Sequence, residues 1–540
     1  MKLLVVIGVL ISTVSVNAQE SHADPAAADH AAPLLGTIDF PVTASAASQQ
    51  KFIRGVLFMH NFHYPEAAAE FAAAEMLDPS NVMAYWGEAM TYTHPVWNQQ
   101  DTTAARAALA KLGPSRDARL AKAHTERERL WLEAAEALYA DGGTKAQRDT
   151  AYSLAMSRVF QHDTTDIEAR AFYALSLLGL NQGDRDPGTY RRAYELLSPA
   201  FKAHPRHPGL AHYLIHSVDD PDHAGLGLAA ANAYGEIAPA AAHALHMTSH
   251  IYLALGQWDD VLKANFRAHA TLPNGQLSGH GSHWINYSLI QLGRYREADH
   301  WLDSMVRQAK TTTSPDRKQD SWNAAGIMAA ASVVDSHRYN TRAAFVRVDT
   351  TYFNAASYTE AMVDLSGAEF GYGMAALKRG DRGAVDSVIT YLEKLRSDAA
   401  SDATKATSRG FVEVMAMSLR GYKEWDNSKL EDALKTFREA AALEASLPMP
   451  FGPPVVIKPP RESAGELLLL MKQPAAAKAE FTRALARTPK RVAVLLGLAR
   501  SEKALGNREV SRKLYREVLA IWHNADAKLP ELVEVRNGSR

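Results

Sequence analysis

Cysteine is absent from the 540-residue chain, so the protein has no disulfides, no thiolate metal ligands and no lipid-modified cysteine. Acidic and basic residues are nearly equal in number, 60 and 59, and no overall field attracts nucleic acid or anionic lipid. The cations are dispersed rather than interleaved with aromatics, so we expect no nucleic-acid partner. Glycine-rich phosphate loops, GxSxG elbows and dinucleotide fingerprints are also missing, and none of those enzyme classes is indicated.

Long apolar runs are missing outside the N-terminus. There, a lysine precedes an apolar stretch over residues 3–14, and the small-residue sequence VNA follows at 16–18, as in a cleaved secretory signal. The stretch is short for a membrane span. We therefore expect residues 1–18 to be a signal peptide cleaved after Ala18, and the mature protein to be periplasmic or secreted without stable membrane insertion. Residues 19–36 are rich in alanine and lack hydrophobic periodicity, which predicts a disordered tether.

Helical periodicity dominates the rest of the chain and strand-like alternation is nearly absent, which predicts an all-α fold. Small and aromatic residues recur at fixed spacing in two helices per unit, first as Gly55, Phe58, Ala67, Phe71, Ala74 and Pro79, and near the C-terminus as Gly465, Ala477, Phe481, Ala484 and Pro489. This pattern resembles the tetratricopeptide repeat over about two thirds of the chain. The segments HYLIH at 212–216 and ALHMTSH at 244–250 look like those of a histidine-rich, poorly characterised branch of exported bacterial tetratricopeptide-repeat proteins.

The resemblance implies an α-solenoid, a superhelix of antiparallel helix pairs, that binds a protein or peptide partner. It supplies no reaction. The unit that begins at Ala242 departs from the repeat pattern at Val261 and Asn265, where the family has alanine and an aromatic. We expect this unit to pack loosely.

Breaks in the pattern divide the chain into segments. We predict an N-terminal solenoid with a histidine-rich groove over 37–307, a polar linker over 308–320, degenerate helical repeats over 321–446, and C-terminal repeats over 461–540. Between the last two, residues 447–460 carry six prolines and cannot be helical through most of their length. Prolines favour a stiff spacer, whereas the apolar residues among them indicate an ordered strap packed on the solenoid.

Histidines recur in step with the repeat. His212 and His216 are followed 34 residues later by His246 and His250, and a further register relates 243 to 280 and 246 to 283. Residues four apart share a helix face, and residues one repeat apart lie side by side in a solenoid. The predicted metal ligands are His212, His216, His246, His250 and His283. The predicted remainder of a ligand-binding groove is His243, His280, Asp219, Asp220, His223 and Tyr287.

Such a wall of imidazoles suits a divalent transition metal, with zinc, copper and iron as candidates. The histidine pairs lack the glutamate of the zinc-protease motif, so that reaction is not indicated. The alternative is a metal-free polar groove in which the imidazoles hydrogen-bond to backbone or carboxylate groups.

A second cluster combines His60, His63, His94 and Trp97. His60 and His94 are 34 residues apart, so we expect them to be neighbours. The cluster forms either a small aromatic pocket or the caps of two inter-helix turns.

Three functions are consistent with these features. The first is a periplasmic scaffold or binding protein whose groove holds a ligand or transition metal. The second is a metal-dependent enzyme built on the same histidines. The third is a scaffold for protein partners without metal, which includes docking through the repeats from Arg461 onward.

Overall fold

The computed structural model describes residues 34–180, 185–353, 358 and 361–540. The predicted signal peptide and nearly all of the predicted tether lie outside these residues. No helix within the described ranges combines the length and the apolar character that a bilayer crossing requires. The described α-helices are α1 (Ala46–His60), α2 (Tyr64–Leu77), α3 (Val82–Met90), α4 (Thr102–Leu112), α5 (Arg116–Leu120), α6 (Glu126–Leu138), α7 (Lys145–His162), α8 (Ile167–Leu178), α9 (Pro187–Ala203), α10 (Pro208–Val218), α11 (Leu228–Ile237), α12 (Ala242–Ala254), α13 (Trp258–Ala270), α14 (Gly279–Gln291), α15 (Tyr295–Thr311), α16 (Pro315–Ser336), α17 (Met362–Lys378), α18 (Arg382–Asp398), α19 (Ala406–Asp426), α20 (Leu430–Ser446), α21 (Pro460–Leu470), α22 (Pro474–Arg487), α23 (Val492–Ala504), α24 (Arg508–Ile521) and α25 (Pro530–Gly538).

Glycine–aromatic interlocking joins successive helix pairs. A Cβ atom added at Gly55 on α1 or at Gly87 on α3 would lie 2.6 Å or 2.4 Å from the ring of Phe71 on α2, so this ring fills the space between two units. Phe481 on α22 occupies the same place between Gly465 on α21 and Gly497 on α23. Short connections make the paired helices antiparallel neighbours. The predicted all-α tetratricopeptide-type solenoid is confirmed.

Regular structure other than α-helix is slight in the described residues. A two-residue antiparallel pair, β1 (Thr93–His94) with β2 (Gln99–Gln100), brackets a 3₁₀ turn between α3 and α4. The described 3₁₀ turns are Pro95–Trp97, Ala224–Gly227, Pro273–Gly275, Arg342–Phe345, Thr350–Tyr352 and Ala403–Lys405.

The linker predicted over residues 308–320 is wrong. Helix α15 continues to Thr311 and α16 starts at Pro315, which leaves three residues between them. Ser314 caps α16, its hydroxyl accepting a hydrogen bond from the backbone N–H of Arg317. The prediction failed because the polar residues of this run lie on the outer faces of two helix ends. Pro315, which suggested a break, is the first residue of α16, a position that favours proline.

The proline-rich segment lies between α20 and α21 and packs on the solenoid. Val456 and Ile457 are buried, and buried Lys458 donates to Glu462 at 2.7 Å. Its earlier half remains more open, with Phe451 41% exposed. We call residues 447–459 the strap, because they connect α20 to α21 and pack against Trp284 of α14.

The C-terminal repeats fold back onto the middle of the chain. The indole N–H of Trp258 donates to the carbonyl of Lys490 at 3.1 Å, and that of Trp522 donates to the carbonyl of Gln291 at 3.0 Å. Arg491, fully buried, donates to Glu462 at 2.6 Å. One face of the repeats after Arg461 is therefore covered by the chain itself.

Candidate metal centre

Three first helices of successive units, α10, α12 and α14, carry the histidines. Proline at the first position of α10 and a side-chain cap from His207 fix where this helix begins. His212 and His216 follow one turn apart on its inner face, and the repeat places His246 and His250 at the same positions on α12.

The first triad consists of His212, His216 and His243. Each offers one ring nitrogen, and the three nitrogens lie within 4.8 Å of one another. The Nε2 atoms of His212 and His243 are 3.2 Å apart. Two residues of the triad come from α10 and one from α12.

The second triad consists of His246, His250 and His280 and repeats this arrangement one unit further on. Its ring nitrogens also lie within 4.8 Å of one another, with 3.0 Å between Nε2 of His246 and Nε2 of His280. Two residues come from α12 and one from α14. The repeat has therefore produced two sites of the same construction.

Fixed acceptors set the tautomers of two triad histidines. Nδ1 of His212 donates to the carbonyl of His60 at 2.7 Å, and Nδ1 of His246 donates to Oδ1 of Asn265 at 2.7 Å. The amide of Asn265 donates in turn to the carbonyl of Val261, so its oxygen must face the imidazole. With the proton on Nδ1, the lone pair is on Nε2, which points into the triad. Metal-binding histidines are oriented in this way.

One carboxylate lies beside both triads. Oδ2 of Asp219 accepts from Nδ1 of His250 at 3.1 Å and lies 3.6 Å from Nδ1 of His216. Arg185 holds the other oxygen of Asp219 and also donates to Asp220 at 3.0 Å. Asp219 therefore orients His250 of the second triad by a hydrogen bond, and it lies beside His216 of the first triad without bonding to it.

The triads hold neutral imidazoles at neutral pH. Burial lowers the pKa of His212 and of His246 to about 3. Nε2 of His216 is buried and has no hydrogen-bond partner in the described structure. A buried, unpaired nitrogen is costly unless an electrophile satisfies it, and a metal ion would do so.

A third group, His60, Glu168 and His207, also comes within 4.8 Å but is differently bonded. Glu168 accepts from Nε2 of His60 at 2.8 Å and Nε2 of His207 at 3.0 Å. The second ring nitrogens are occupied too, by the hydroxyl of Tyr213 and the backbone N–H of Leu210. Although burial acts to raise it, His207 and His60 lower the pKa of Glu168 to about 2. This group is a satisfied core network with no free lone pair for an ion.

Several predicted groove residues lie outside the triads. His283 belongs to neither of them. His223 is exposed and pairs with Asp220 at 2.9 Å. Tyr287 accepts a hydrogen bond from Arg491 at 3.1 Å instead of facing the histidines.

The second predicted cluster does not form one site. His60 joins the core network, His94 bonds to the carbonyl of Thr91 and stacks on Tyr64 at 4.0 Å, and His63 stacks on Phe58. Trp97 contacts the first triad, with its ring 5.7 Å from that of His243. The predicted pairing of His60 with His94 is wrong, because each already has other partners.

The residues that sequence reasoning missed are those that support the triads, namely Asn265, Arg185, Trp284, Glu168 and His207. Asn265 carried a signal, since it stands where the repeat has an aromatic. The predicted looseness of that unit is wrong, because Asn265 and Val261 are buried.

Two cavities adjoin the second triad. The larger, about 790 Å³ including its open mouth, lies between the strap and the centre and is lined by His250, Asp219 and Arg487 among others. The smaller, about 310 Å³, is lined by His246 and Asn265.

Comparisons with known proteins match the fold only in outline. No family model and no curated protein matches the chain. Among solved structures, the human IFIT1 dimer with m7Gppp-AAAA is 16% identical, with 93% of this chain and 96% of that chain covered and a TM-score of 0.35. The Cut9–Hcn1 hetero-tetramer of APC/C is 13% identical, with 92% and 97% covered and a TM-score of 0.29. Both scores are too low to carry an argument, and the description of the fold rests on the helix pairs themselves.

Proposed function

We propose that the chain is a helical-repeat scaffold whose two histidine triads bind transition-metal ions, with zinc, copper and iron as the candidates. The main support for this proposal is that hydrogen bonds fix the tautomers of three triad histidines. Backbone, amide and carboxylate acceptors hold Nδ1–H of His212, His246 and His250, which leaves the lone pair of each on Nε2. His212 thus offers a lone pair at the first triad, and His246 and His250 offer two at the second. Three imidazoles are a sufficient protein ligand set for a metal ion.

A metal-free polar groove explains these contacts less well. Without metal, His243 and His280 would donate from Nε2 to the Nε2 lone pairs of His212 and His246, at 3.2 Å and 3.0 Å. His216 is left with a buried, unpaired Nε2.

Elemental analysis of the mature protein, purified without chelator, tests the proposal. We expect two ions per chain in the wild type and one in each double variant, His212→Ala/His216→Ala and His246→Ala/His250→Ala, with helicity unchanged. The exposed pair His162→Ala/His523→Ala removes as many histidines and should keep both ions. Wild-type protein that is metal-free and takes up no added metal overturns the proposal.

A metal-dependent enzyme on the same centre is the second candidate, because the larger cavity reaches His250. Turnover that is lost on chelation and restored by one particular metal would support it. Stoichiometric metal without an exchangeable ligand would count against it.

Export is also part of the proposal, and it rests on the pattern over residues 1–18. N-terminal sequencing of the expressed protein should find Gln19 first. An uncleaved N-terminus in a processing-competent host would contradict this.

A further inference from the structure

We propose that the two triads are unequal: the first is closed and takes its ligands from this chain alone, whereas the second is open and binds a small exogenous anion or water on its metal. This inference rests on the proposed function and deepens it. Each triad supplies three ligands, which leaves one position of a tetrahedral ion free. The first site is closed only in the sense that side chains shield that position from solvent, whereas a reactive site requires it to be accessible.

Phe62 closes the first triad. Its ring lies 4.2 Å from that of His212, 5.4 Å from that of His243 and 5.9 Å from that of His216, so one side chain contacts all three ligands. The ring itself is buried, with 5% exposure. Trp97 adds a second aromatic wall beside His243.

Phe62 occupies the turn that follows α1. Its φ of +58° is the left-handed conformation that also follows α19 at Ser428 and α21 at Lys472, so it belongs to the inter-helix turns of the chain. A bulky residue is unfavourable in this conformation. At this turn the backbone directs the ring onto the triad.

Solvent access separates the two sites. In the first triad His212 and His216 are buried and His243 is partly exposed. In the second triad His246 is buried, the His250 side chain retains 10% exposure and His280 is exposed. Both cavities touch the second triad, and neither is lined by a histidine of the first.

An aromatic ring also adjoins the second triad without sealing it. Trp284 stacks on His250 at 4.7 Å and meets His246 edge-on at 4.8 Å. The Trp284 ring is buried against Gly452 of the strap. It therefore forms the back of the site, while His280 remains open to solvent.

The electrostatics suit an anion at the open position. Arg487 lines the larger cavity together with the carboxyl groups of Glu444 and Asp219, and its charge acts on Glu444. A metal ion bound by three neutral imidazoles keeps its full positive charge. A small anion such as azide, or hydroxide, is therefore the class of ligand this position would take.

Cobalt(II) with azide as the probe tests the inference, since cobalt bound by imidazoles has a visible spectrum that changes when a ligand is added. In the full mature chain loaded with two cobalt ions, we expect azide to shift the spectrum of one ion only. The azide response should disappear in His280→Ala and persist in His243→Ala. Phe62→Gly, which removes the ring and relieves the left-handed strain, should allow a second azide to bind.

Phe62→Leu is the matched variant, because it keeps apolar bulk at the same backbone position. Helical circular dichroism checks that each variant is folded, and cobalt stoichiometry checks that the two Phe62 variants still bind both ions. Failure of the wild type to bind cobalt at all would overturn the proposed function and this inference together. Two cobalt ions that both bind azide, or that both refuse it, would overturn the inference alone. An unchanged azide count in Phe62→Gly would show that Phe62 does not close the site.

Discussion

Asn265 is a single departure from the repeat pattern that positions a histidine of the second triad. At its position the repeat uses an aromatic to fill the space between helix pairs, and here the space holds an amide that accepts the Nδ1 proton of His246. Replacement of a buried aromatic by an amide costs packing and is tolerated only when the amide is hydrogen-bonded. Departures from a local rule are expected at functional sites.

Asn265→Leu should therefore weaken metal binding at the second triad by about 10- to 100-fold, because His246 loses the acceptor that fixes its tautomer. Metal at the first triad should be unaffected. Competition titration with a chromophoric chelator measures both sites. Asn286→Leu is the control, since Asn286 is equally buried but bonds to the carbonyl of Ala298, away from the triads. Equal losses in the two variants would mean that Asn265 acts only through packing.

Asp219 and Asp220 are neighbours with different tasks. Asp219 lies next to one histidine of each triad, whereas the carboxylate of Asp220 bonds to Arg185, to the exposed His223 and to the backbone N–H of Asp222. Asp219→Asn should weaken both sites by about 10- to 100-fold, since the charged acceptor that raises the basicity of two imidazoles is lost. Asp220→Asn should leave both affinities within about threefold, because its carboxylate acts on no triad histidine directly. Loss confined to one triad in Asp219→Asn would show that the carboxylate is not shared.

At this scale the sequence predicted which histidines share a helix face better than how the histidines group between helices. Helical spacing brings His212 near His216 and His246 near His250, and those pairs are present. The third member of each triad comes from the next unit and one turn earlier, so that grouping depends on how α10, α12 and α14 are offset. This offset between neighbouring helices is set by how their side chains pack together. The spacing of residues within one helix does not determine it.

Among the structural elements, the strap makes closely fitted contacts with residues beside the triads. Gly452 has φ +108°, and a Cβ atom there would lie 2.6 Å from the ring of Trp284. Phe451, next to it, lies under the guanidinium of Arg185 at 4.1 Å. The strap thus touches both Trp284 behind the second triad and the arginine that holds Asp219.

Gly452→Ala should loosen the strap and lower stability by about 2 kcal/mol, because the new methyl group is both conformationally strained and overlapping. Thermal unfolding measures the loss, and chymotrypsin cleavage after Phe451 reports the loosening. Gly380→Ala is the control: it also has positive φ, +80°, but nothing lies within 4 Å of its added Cβ. Cleavage at the wild-type rate in Gly452→Ala would show that the strap is not fixed by this contact.

The predicted helices and connections were right where they rested on a strong periodic pattern, and wrong where they rested on amino-acid composition alone. The glycine–aromatic spacing around Phe71 and Phe481 lies within one repeat unit, so the sequence alone was enough to predict these helix pairs. The polar run at 308–320 had the composition of a loop, yet its residues cover the ends of α15 and α16. Exposed helix ends and loops have the same composition, and only the capping residue Ser314 distinguishes them.

At the scale of the whole molecule, a buried charge network closes the solenoid on itself. Arg491 pairs with Glu462 and Asp335, and Lys458 of the strap pairs with Glu462 at 2.7 Å. Arg491 also donates to Tyr287, which is 204 residues earlier. No repeat pattern contains information on such a contact, because the repeat specifies only neighbouring units. Closure brings the strap and the C-terminal repeats to the metal centre and creates the larger cavity.

Glu462→Gln should show how much this closure contributes. Although burial acts to raise it, Arg491 and Lys458 lower the pKa of Glu462 to about 2, from an ordinary value of 4.5. The folded state therefore favours the carboxylate. Its contribution to stability is complete above about pH 4.5 and is lost as the pH falls toward 2. The variant leaves two buried cations with less compensation, and we expect it to be about 3 kcal/mol less stable at pH 7.

Denaturant unfolding followed by circular dichroism, at pH 7 and in steps from pH 5 to 3, measures both effects. The wild type should lose stability more steeply than Glu462→Gln over the acid range, because only the wild type must protonate this carboxylate. Glu509→Gln removes an exposed carboxylate paired with Arg512, and it should match the wild type within about 1 kcal/mol at every pH. Parallel acid slopes for the wild type and Glu462→Gln would mean that the network does not hold the carboxylate charged, and that apolar packing between the middle and C-terminal repeats closes the solenoid instead.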